Sequence, residues 1–485
     1  MKGLLCTCFA GLIGISGQAQ LIQWGPEIHV ADGSIYGNVR PRAAIVGTDS
    51  PVVVFGKPSS VNNLFIARWN GSSFDTPVSI LPAGTSSYLT DWTGPDLDVF
   101  NSTVIATFKL EPLEGGHVYS VRSTDGGITF SDTIRVDSHP VGVAWMPSMG
   151  MDGNGNPVIT YMAHDGVWSN PRYVIVHSTD GGLSYTQEME VSSLVPGETC
   201  DCCPAEMVIN DNKEILLFRN NESNIRDMYA VMSSDGGSSY TSYANVDNLA
   251  WTLMSCPSTG ANGAFLGNRL LTTYASAASG KYRVYLSAAT TDGPIGFEIR
   301  AQVPEPAQAN GTQNYPRLSV SGDTAVMAWR ESVNSNQEIF CSVSLPGIDP
   351  IAGLTSFKQQ SNASTSGIQT NPEIIYKNGI VHLFYTDSGS GDLIYRRGTI
   401  STSAGLEELY SSVALHPNPS TGTFTIPSDI ENVRIVDALG KSYSFTATKT
   451  IDGLEISIQH AAKGIYFVQG IQNTVPFSVS FIVEG

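Results

Sequence analysis

The sequence predicts an all-β protein, namely a closed β-propeller followed by a small C-terminal β-sandwich of the Ig-like type. Three observations lead to this prediction: a turn-rich composition, a box of residues that recurs along the chain, and a change of pattern near residue 401. Of the 485 residues, 48 are glycine and 26 are proline, while only 14% are charged, against roughly 25% in ordinary soluble proteins. This composition favours short strands joined by many turns, and the length allows about two to four domains.

The recurring box reads STDGGITF at 123–130, STDGGLSY at 178–185, SSDGGSSY at 233–240 and, in degenerate form, TTDGPIGF at 290–297. Each copy follows a β-rich run, and the paired glycines supply the positive φ that a tight reversal of the chain requires. We predict hairpin turns in which serine and aspartate oxygens accept hydrogen bonds from turn amides. The residues with this structural role are Ser123, Asp125, Gly127, Phe130, Ser178, Asp180, Gly182, Tyr185, Ser233, Asp235, Gly237, Tyr240 and Asp292.

The spacing of the boxes predicts the architecture. A step of about 55 residues is typical of four-stranded blades rather than of helical solenoids. The strand before the turn can be traced from about residues 63, 118, 173, 228, 283, 338 and 393. An apolar strand that begins with a proline also occurs seven times, once in each unit, at Pro41, Pro95, Pro147, Pro204, Pro257, Pro316 and Pro372. We therefore predict seven blades, with six as the alternative, and we expect the strand at 24–30 to complete the last blade, which removes an exposed edge.

The two ends of the chain predict export. Lys2, an apolar run from Gly3 to Ile15 and a small-residue ending at Ala19 form the layout of a cleavable signal peptide over residues 1–19. We assign 20–400 to the propeller, a Ser/Thr-rich stretch at 401–412 to a linker, and 413–485 to the sandwich. No later stretch is long and apolar enough for a transmembrane segment. The net charge of −18 repels phosphate backbones, which excludes nucleic acid as a partner.

These motifs resemble two known families. Ser-x-Asp-x-Gly-x-Thr-Phe, as at 123–130, is the Asp-box, or BNR repeat, of sialidase-like propellers. The tail, with HPNPSTGTF at 416–424 and KGIYFV at 463–468, resembles the type A sorting domain of type IX secretion cargo. The first resemblance implies the propeller fold over 20–400. The second implies that the type IX secretion machinery is a partner, and that the protein is secreted or attached to the outer cell surface.

The first strands of the blades are predicted to begin on the face opposite the boxes, around one axial mouth, which is the usual ligand site of a propeller. The candidate ligand-binding residues are Arg40, Arg42, Asp91, Trp92, Asp96, Trp145, Asp201, Glu206, Arg219, Arg226, Asp227, Tyr315, Arg317 and Glu373. Because an arginine beside the axis needs a partner or a ligand, we expect Arg42, Arg317 and either Arg219 or Arg226 to converge on an anionic group. Pairing of each arginine with a buried carboxylate would indicate a structural role instead.

Three functions stay open at this point. The protein is a propeller that binds a glycan or a protein outside the cell, a glycoside hydrolase of sialidase type, or a structural surface protein without a ligand. For the hydrolase, the resemblance implies an arginine trio, a tyrosine nucleophile paired with glutamate, and an acid/base aspartate. The family's Arg-Ile-Pro order is absent, and no tyrosine lies between Tyr315 and Tyr376, so enzyme activity is uncertain and no catalytic residue is assigned. A hydroxyl of Tyr315, Tyr376 or Tyr385 bonded to a glutamate at the mouth would favour the hydrolase.

The most unusual local feature is a cysteine cluster, CDCCP at 200–204 together with CP at 256–257. Cys200, Cys202, Cys203 and Cys256 are disulfide candidates, which suits an exported chain. We expect Cys203 and Cys256 to bridge neighbouring blades, and Cys200 with Cys202 could add a second link; a vicinal bond between Cys202 and Cys203 is the alternative. Free thiols and a thiolate-bound metal are the alternatives, although we predict no cofactor and no dedicated metal. Cys341 is predicted to be a buried apolar residue.

Overall fold

The computed structural model describes residues 22–138, 143–166, 168–303, 311–333, 336–344, 358–361, 367–400, 415–437, 441–459, 461–472 and 475–484. The predicted signal peptide at 1–19 and the predicted linker at 401–412 lie outside these residues. Apart from one four-residue helix and one 3₁₀ turn, the regular elements of the described residues are all strands, so the all-β prediction is confirmed. It falls into two compact units, one within Gln20–Ser401 and the other within Thr402–Gly485. Over the described ranges, no helix has the length and apolar character needed to cross a membrane.

The first unit begins with strand β1 (Ile22–Ala31) and a single helical turn, α1 (Gly33–Tyr36), which Asp32 caps. Sheet 1 contains β2 (Val39–Val46), β3 (Ser50–Gly56), β4 (Leu64–Arg68) and β5 (Val78–Ser79). Sheet 2 contains β6 (Asp96–Phe100), β7 (Thr103–Lys109), β8 (Val118–Ser123) and β9 (Ile134–Arg135). Sheet 3 contains β10 (Ala144–Met151), β11 (Pro157–Asp165), β12 (Ser169–His177) and β13 (Met189–Glu190).

The 3₁₀ turn η1 (Ser192–Leu194) and the short strand β14 (Glu198–Thr199) precede sheet 4, which contains β15 (Glu206–Asn210), β16 (Lys213–Asn221), β17 (Met228–Ser233) and β18 (Ser242–Asn245). Sheet 5 contains β19 (Asn262–Leu266), β20 (Arg269–Ser276), β21 (Arg283–Thr290) and β22 (Gly296–Gln302). Sheet 6 contains β23 (Gln313–Ser321), β24 (Thr324–Val333), β25 (Asn336–Val343) and β26 (Lys358–Ser361). Sheet 7 contains β27 (Gln369–Lys377), β28 (Ile380–Asp387), β29 (Leu393–Ile400) and β1.

Within each sheet the strands pair antiparallel in chain order, except that sheet 7 takes its fourth strand from the start of the unit. In that sheet Ile22 lies opposite Ile400, and Ile28 lies opposite Tyr395. The strand expected at 24–30 therefore has the predicted pairing. In sheet 4, β14 adds a short fifth strand at the far end of β16.

The first strands of successive sheets pack on each other. β2 contacts β6, β6 contacts β10, and the series continues through β15, β19 and β23 to β27, which in turn contacts β2. The apolar cores lie between neighbouring sheets; Val54 and Leu64 of sheet 1, for example, share one buried cluster with Val104 and Phe108 of sheet 2. Sheets covered on both faces need strands that are apolar almost throughout, and β11 is accordingly buried from its first residue to its last but one.

The boxes are the turns that follow the third strands of sheets 2, 3 and 4. In the first box, Ser123 Oγ accepts from the backbone N–H of Gly127 at 2.8 Å, and Asp125 accepts from that of Thr129 at 3.0 Å. The corresponding bonds recur at 178–185 and 233–240. Hydrogen bonds from Ser184 and Ser178 lower the pKa of Asp180 to about 2. In the degenerate fourth box, Asp292 instead accepts from Lys213 Nζ at 2.9 Å.

The second unit consists of two three-stranded sheets. Its strands are β30 (Thr423–Ile426), β31 (Ile430–Asp437), β32 (Phe445–Thr450), β33 (Gly453–Ile458), β34 (Gly464–Gln472) and β35 (Val475–Val483). β33 lies between β30 and β32 in one sheet, and β34 lies between β31 and β35 in the other. Residues of both sheets share one apolar core, including Phe424 and Ile456 of the first and Ile435, Val468 and Phe481 of the second.

Candidate functional site

Four of the first strands begin with the same irregularity. In β2, β10, β23 and β27 the pairing register shifts around the strand-opening proline. The residue before the proline has a positive φ in each case, and these residues are Arg40 (55°), Met146 (51°), Tyr315 (53°) and Asn371 (50°). Positive φ is uncommon in residues other than glycine, and a β-bulge re-aims the side chains around it. In each of these strands, the bulge therefore interrupts the regular alternation of side chains between the two faces of the sheet.

Behind the bulges, one polar side chain from the first strand of each sheet forms what we call the polar ring. Its members are Arg42, Asp96, Ser148, Glu206, Asn262, Arg317 and Glu373. Arg317 connects two of the carboxylates, since its Nη1 lies 3.2 Å from Glu206 Oε2 and its Nε lies 2.8 Å from Glu373 Oε2. Although burial acts against the charged form, these two carboxylates raise the pKa of Arg317. Arg317 is therefore fixed as a cation.

The other members of the polar ring also bond across sheets. Arg42 Nη1 lies 3.2 Å from Glu373 Oε2, and Asp96 Oδ2 accepts from Ser148 Oγ at 2.8 Å. Glu206 Oε1 accepts from Asn262 Nδ2 at 2.6 Å, while burial raises the pKa of Glu206 above its ordinary value. The ring thus ties neighbouring first strands together through buried, mostly charge-assisted hydrogen bonds, which are stronger than neutral ones.

No hydrogen bond or ion pair joins Arg40 to this network among the described residues, although the charges of Asp96 and Glu206 favour its cationic form. Its Nε is buried without a hydrogen-bond partner in the described part of the chain, and the same holds for Asn371 Nδ2. Burial, together with the like charges of Arg42 and Arg317, lowers the pKa of Arg40 well below its ordinary value. Burial of the positive charge of Arg40 therefore costs free energy, and an anion bound beside it would reduce that cost.

Arg40, Asn371 and Tyr315 line one concave site, which we call the mouth pocket. Its other lining residues are Arg42, Pro204, Ala205, Glu206, Thr259, Gly260, Ala261, Pro316, Arg317 and Pro372. The pocket lies where the starts of β2, β15, β19, β23 and β27 meet, over part of the polar ring. The ring of Tyr315 stacks on the guanidinium of Arg330 at 4.6 Å, which fixes this aromatic wall.

Three aromatic residues lie beside the bulge of sheet 3. Trp145 is buried and donates from Nε1 to His164 Nε2 at 3.3 Å. Trp92 and Trp168 pack edge-on against it, with ring centroids 5.7 and 5.2 Å away. Of the predicted site residues in this region, Trp92 is half-buried and Asp91 is exposed. None of these residues lines the mouth pocket.

Four predicted site residues belong to other parts of sheet 4. Arg219 is buried and donates to the backbone carbonyls of Thr259, Arg226 and Ala275. Arg226 donates to Leu253 O and to Cys200 Sγ. Asp227 accepts from the backbone N–H groups of Ala250 and Trp251, and Asp201 is exposed. Backbone carbonyls thus take up the donors of Arg219, so the expected convergence of Arg219 or Arg226 with Arg42 and Arg317 is not found.

The tyrosines that would favour a hydrolase have other surroundings. The hydroxyl of Tyr385 donates to Glu27 Oε1 at 2.7 Å, in the outer strand β1. Tyr376 packs against the apolar core between sheets 6 and 7. Tyr315 lines the mouth pocket, but the structure gives its hydroxyl no hydrogen bond to a carboxylate of the polar ring among the described residues.

The disulfide prediction needs one correction. Cys256 is bonded to Cys202, with the two Cα atoms 6.0 Å apart, and not to Cys203. Consecutive residues point in different directions, so Cys203 is turned inward and fully buried, while Cys202 reaches Cys256 in the exposed loop before sheet 5. Cys200, Cys203 and Cys341 are buried thiols, as predicted for Cys341.

Sequence reasoning missed Ser148 and Asn262 of the polar ring and Asn371 of the mouth pocket. A signal for two of them was present, because Ser148 and Asn371 flank strand-opening prolines in the same way as Arg42 and Arg40 do. Asn262 has no such marker, since the strand-opening proline of sheet 5 lies five residues earlier, at Pro257.

Comparison with known families agrees with this description. Residues 101–327 match the BNR repeat-like domain, and residues 414–484 match the secretion system C-terminal sorting domain. The chain carries a BNR repeat-like domain and a type IX sorting domain. The sorting domain indicates that the protein is delivered by type IX secretion to the cell surface or to the outside.

Solved structures similar to this chain come from several sources, and the comparison with curated proteins found no match. A protein of unknown function from Dyadobacter fermentans is 12% identical, with 64% of this chain and 94% of that chain covered and a TM-score of 0.45. A Hadza microbial sialidase is 14% identical, with 62% and 65% covered and a TM-score of 0.42. An α-L-arabinofuranosidase from Fusarium graminearum is 13% identical, with 61% and 89% covered and a TM-score of 0.38.

Proposed function

We propose that this exported protein binds an acidic glycan in the mouth pocket, with Arg40 as the group that holds the acid. The observation that carries the proposal is the guanidinium of Arg40, whose Nε is buried without a hydrogen-bond partner in the described ranges and which forms no ion pair there, unlike Arg42 and Arg317 beside it. A carboxylate or a sulfate can accept two parallel hydrogen bonds from such a group. Asn371 Nδ2, buried and unpartnered in the described chain, is a second donor lining the same pocket.

The polar ring limits the charge of this ligand. Two of its members, Arg42 and Arg317, are cations, and three, Asp96, Glu206 and Glu373, carry carboxyl groups. Arg40 brings the count to three guanidinium groups against three carboxyl groups, so a ligand with one acidic group adds one net negative charge, and each further anionic group would be repelled more strongly. We therefore expect a ligand with a single acidic group at its end, not a polyanion.

The pocket has a volume of about 40 Å³, which is room for the acidic group of a ligand, and its remaining lining residues can contact the part of the ligand next to that group. Pro204, Pro316 and Pro372, together with Tyr315, are apolar or aromatic lining residues. Small-molecule sites typically combine such walls with a few fixed polar groups. An acidic sugar at the end of a glycan offers an acid for Arg40 and an apolar ring face for these walls.

The proposal includes an arrangement of the sheets. We propose that sheets 1 to 7 are the seven blades of a closed propeller at 20–400, that 413–485 is an Ig-like sandwich, and that 1–19 and 401–412 are signal peptide and linker. The contacts between first strands, which run from β2 round to β27 and back, support closure, as does β1 in the fourth place of sheet 7. The polar ring would then surround the axis, with the mouth pocket at one end.

The test is a glycan array probed with the full exported chain. The array carries oligosaccharides ending in one sialic or uronic acid, their neutral counterparts, polysulfated glycans and glutamate-rich peptides. We expect binding to some of the singly acidic glycans, weakened about tenfold or more in Arg40→Gln, because a hydrogen-bonded charge is worth roughly 1.5–3 kcal/mol. Arg135→Gln, which removes an arginine from the outer strand β9, is the matched control and should bind like the wild type.

Three results would overturn the proposal. Equal binding to acidic glycans and to their neutral counterparts would show that the acid is not recognised. Binding to the peptides alone would show that the ligand is not a glycan. No binding to any surface favours a structural protein without a ligand.

A further inference from the structure

Two buried thiols lie side by side just before sheet 4. Cys200 and Cys203 are fully buried, and their Sγ atoms are 3.2 Å apart. They stand in a tight turn, in which the backbone N–H of Cys203 donates to Cys200 O at 3.3 Å. Neither belongs to the disulfide between Cys202 and Cys256. Sulfurs this close can bond after a small side-chain rotation, without a large movement of the backbone.

The surroundings make the two thiols unequal. Arg226 Nη1 lies 3.3 Å from Cys200 Sγ. A hydrogen bond from Cys203, with the positive charges of Arg226 and Arg219, lowers the pKa of Cys200 to about 7. Burial raises the pKa of Cys203. In the folded chain, the Cys200 thiol therefore ionises more readily than the Cys203 thiol.

We propose that Cys200 and Cys203 form a second disulfide in the exported protein, next to the one between Cys202 and Cys256. The oxidant is a disulfide-bearing thiol oxidoreductase. The Cys200 thiolate attacks one sulfur of the oxidant, whose S–S bond breaks and releases a thiolate. Cys203 then loses its proton to water and attacks Cys200 Sγ, and the second thiolate of the oxidant leaves. The oxidant ends as a dithiol, having gained the two electrons that the cysteine pair has lost. Because both thiols are buried in the folded chain, the exchange takes place before this segment packs.

A bound metal is the competing arrangement. The sulfurs of Cys200, Cys202 and Cys203 all lie within 4.8 Å of one another, a spacing that thiolate ligands of one ion also have. Cys202 is committed to Cys256, however, which leaves two thiols where a structural zinc site uses four ligands. Delivery to the outside by the sorting domain places the pair where disulfides persist.

The experiment counts reactive thiols in the full chain collected after export. The protein is unfolded in denaturant with an alkylating reagent and no reductant, and its peptides are mapped by mass spectrometry. Among Cys200, Cys202, Cys203, Cys256 and Cys341, we expect alkylation of Cys341 alone. After reduction, all of these residues should become alkylated.

Two variants assign the bond. In the double variant Cys202→Ser/Cys256→Ser, the first disulfide cannot form, and we still expect alkylation at Cys341 alone. In Cys203→Ser, Cys200 should be alkylated as well. Alkylation of Cys200, Cys203 and Cys341 in the wild type would overturn the proposal, and so would zinc that remains with the purified protein. The count on the wild type needs no variant to fold.

Discussion

At the scale of single residues, Asp247 shows how burial sets the charge of a side chain. Its Oδ1 accepts from the backbone N–H of Met228 at 3.2 Å, while Oδ2 is buried with no hydrogen-bond partner in the described ranges. Burial, and then the negative charge of Asp227, raises the pKa of Asp247 to about 7. The folded chain therefore favours the protonated form of this carboxyl group near neutral pH.

This raised pKa predicts a pH dependence of stability. The folded state binds the proton more tightly than the unfolded chain, where aspartate has a pKa of about 3.9. The stabilisation is therefore complete at low pH and is lost as pH rises through about 7. We expect Asp247→Asn, measured by thermal unfolding between about pH 5 and pH 8, to lose part of the wild-type decline in stability with rising pH. The exposed Asp211→Asn is the control and should keep that decline; an unchanged decline in Asp247→Asn would contradict the argument.

The sequence was informative about which residues belong to the site, and less so about their partners. Charged residues next to strand-opening prolines, such as Arg42, Arg317 and Glu373, do meet in the structure. The direction of a side chain depends on local backbone geometry, which the sequence alone does not reveal. The adjacent Cys202 and Cys203 show this, because only the first reaches Cys256.

At the scale of single elements, each regular box turn depends on a buried serine. Ser233 Oγ donates to Asp235 Oδ1 at 2.7 Å and accepts from the backbone N–H of Gly237 at 3.0 Å. The next residue, Ser234, is exposed. The two neighbouring serines thus differ in burial, so Ser234 can serve as the control for Ser233.

We expect Ser233→Ala to lower the free energy of unfolding by about 1–3 kcal/mol, because it leaves a buried backbone donor without its acceptor. Ser234→Ala should change it by less than about 0.5 kcal/mol. Denaturant unfolding of the full chain measures both. Equal losses in the two variants would show that the turn does not depend on the buried hydroxyl.

Elements differ in how far sequence could predict them. The box turns and the third strands were predictable because they repeat at a constant spacing. β14, which is only Glu198–Thr199, is too short to show a period, and its pairing with β16 depends on tertiary context. The bulges were not predictable either, because a proline marks the place but not the φ of the residue before it.

At the scale of the whole molecule, repetition explains why so much could be predicted. The 55-residue step and the strand-opening prolines predicted seven repeating units, with six as the alternative, and the described part of the first unit contains seven sheets. The strand at 24–30 resembles the fourth strands of the other sheets in sequence, which predicted that β1 would pair with β29. The sorting domain was recognisable because its motifs extend over nearly the whole tail. The mouth pocket arises only when the starts of five first strands meet, so its lining could not be read from any one repeat.

The contact between Arg40 and the acid of a glycan in the mouth pocket can be observed at atomic detail. A crystal structure of the full chain with sialyllactose, or with a disaccharide ending in glucuronic acid, tests it most directly. We predict that the carboxylate accepts hydrogen bonds from the guanidinium of Arg40 and from Asn371 Nδ2, while Arg317 keeps Glu206 and Glu373 as partners. A sugar bound elsewhere on the molecule, or in the pocket with its carboxylate turned away from Arg40, would contradict the account.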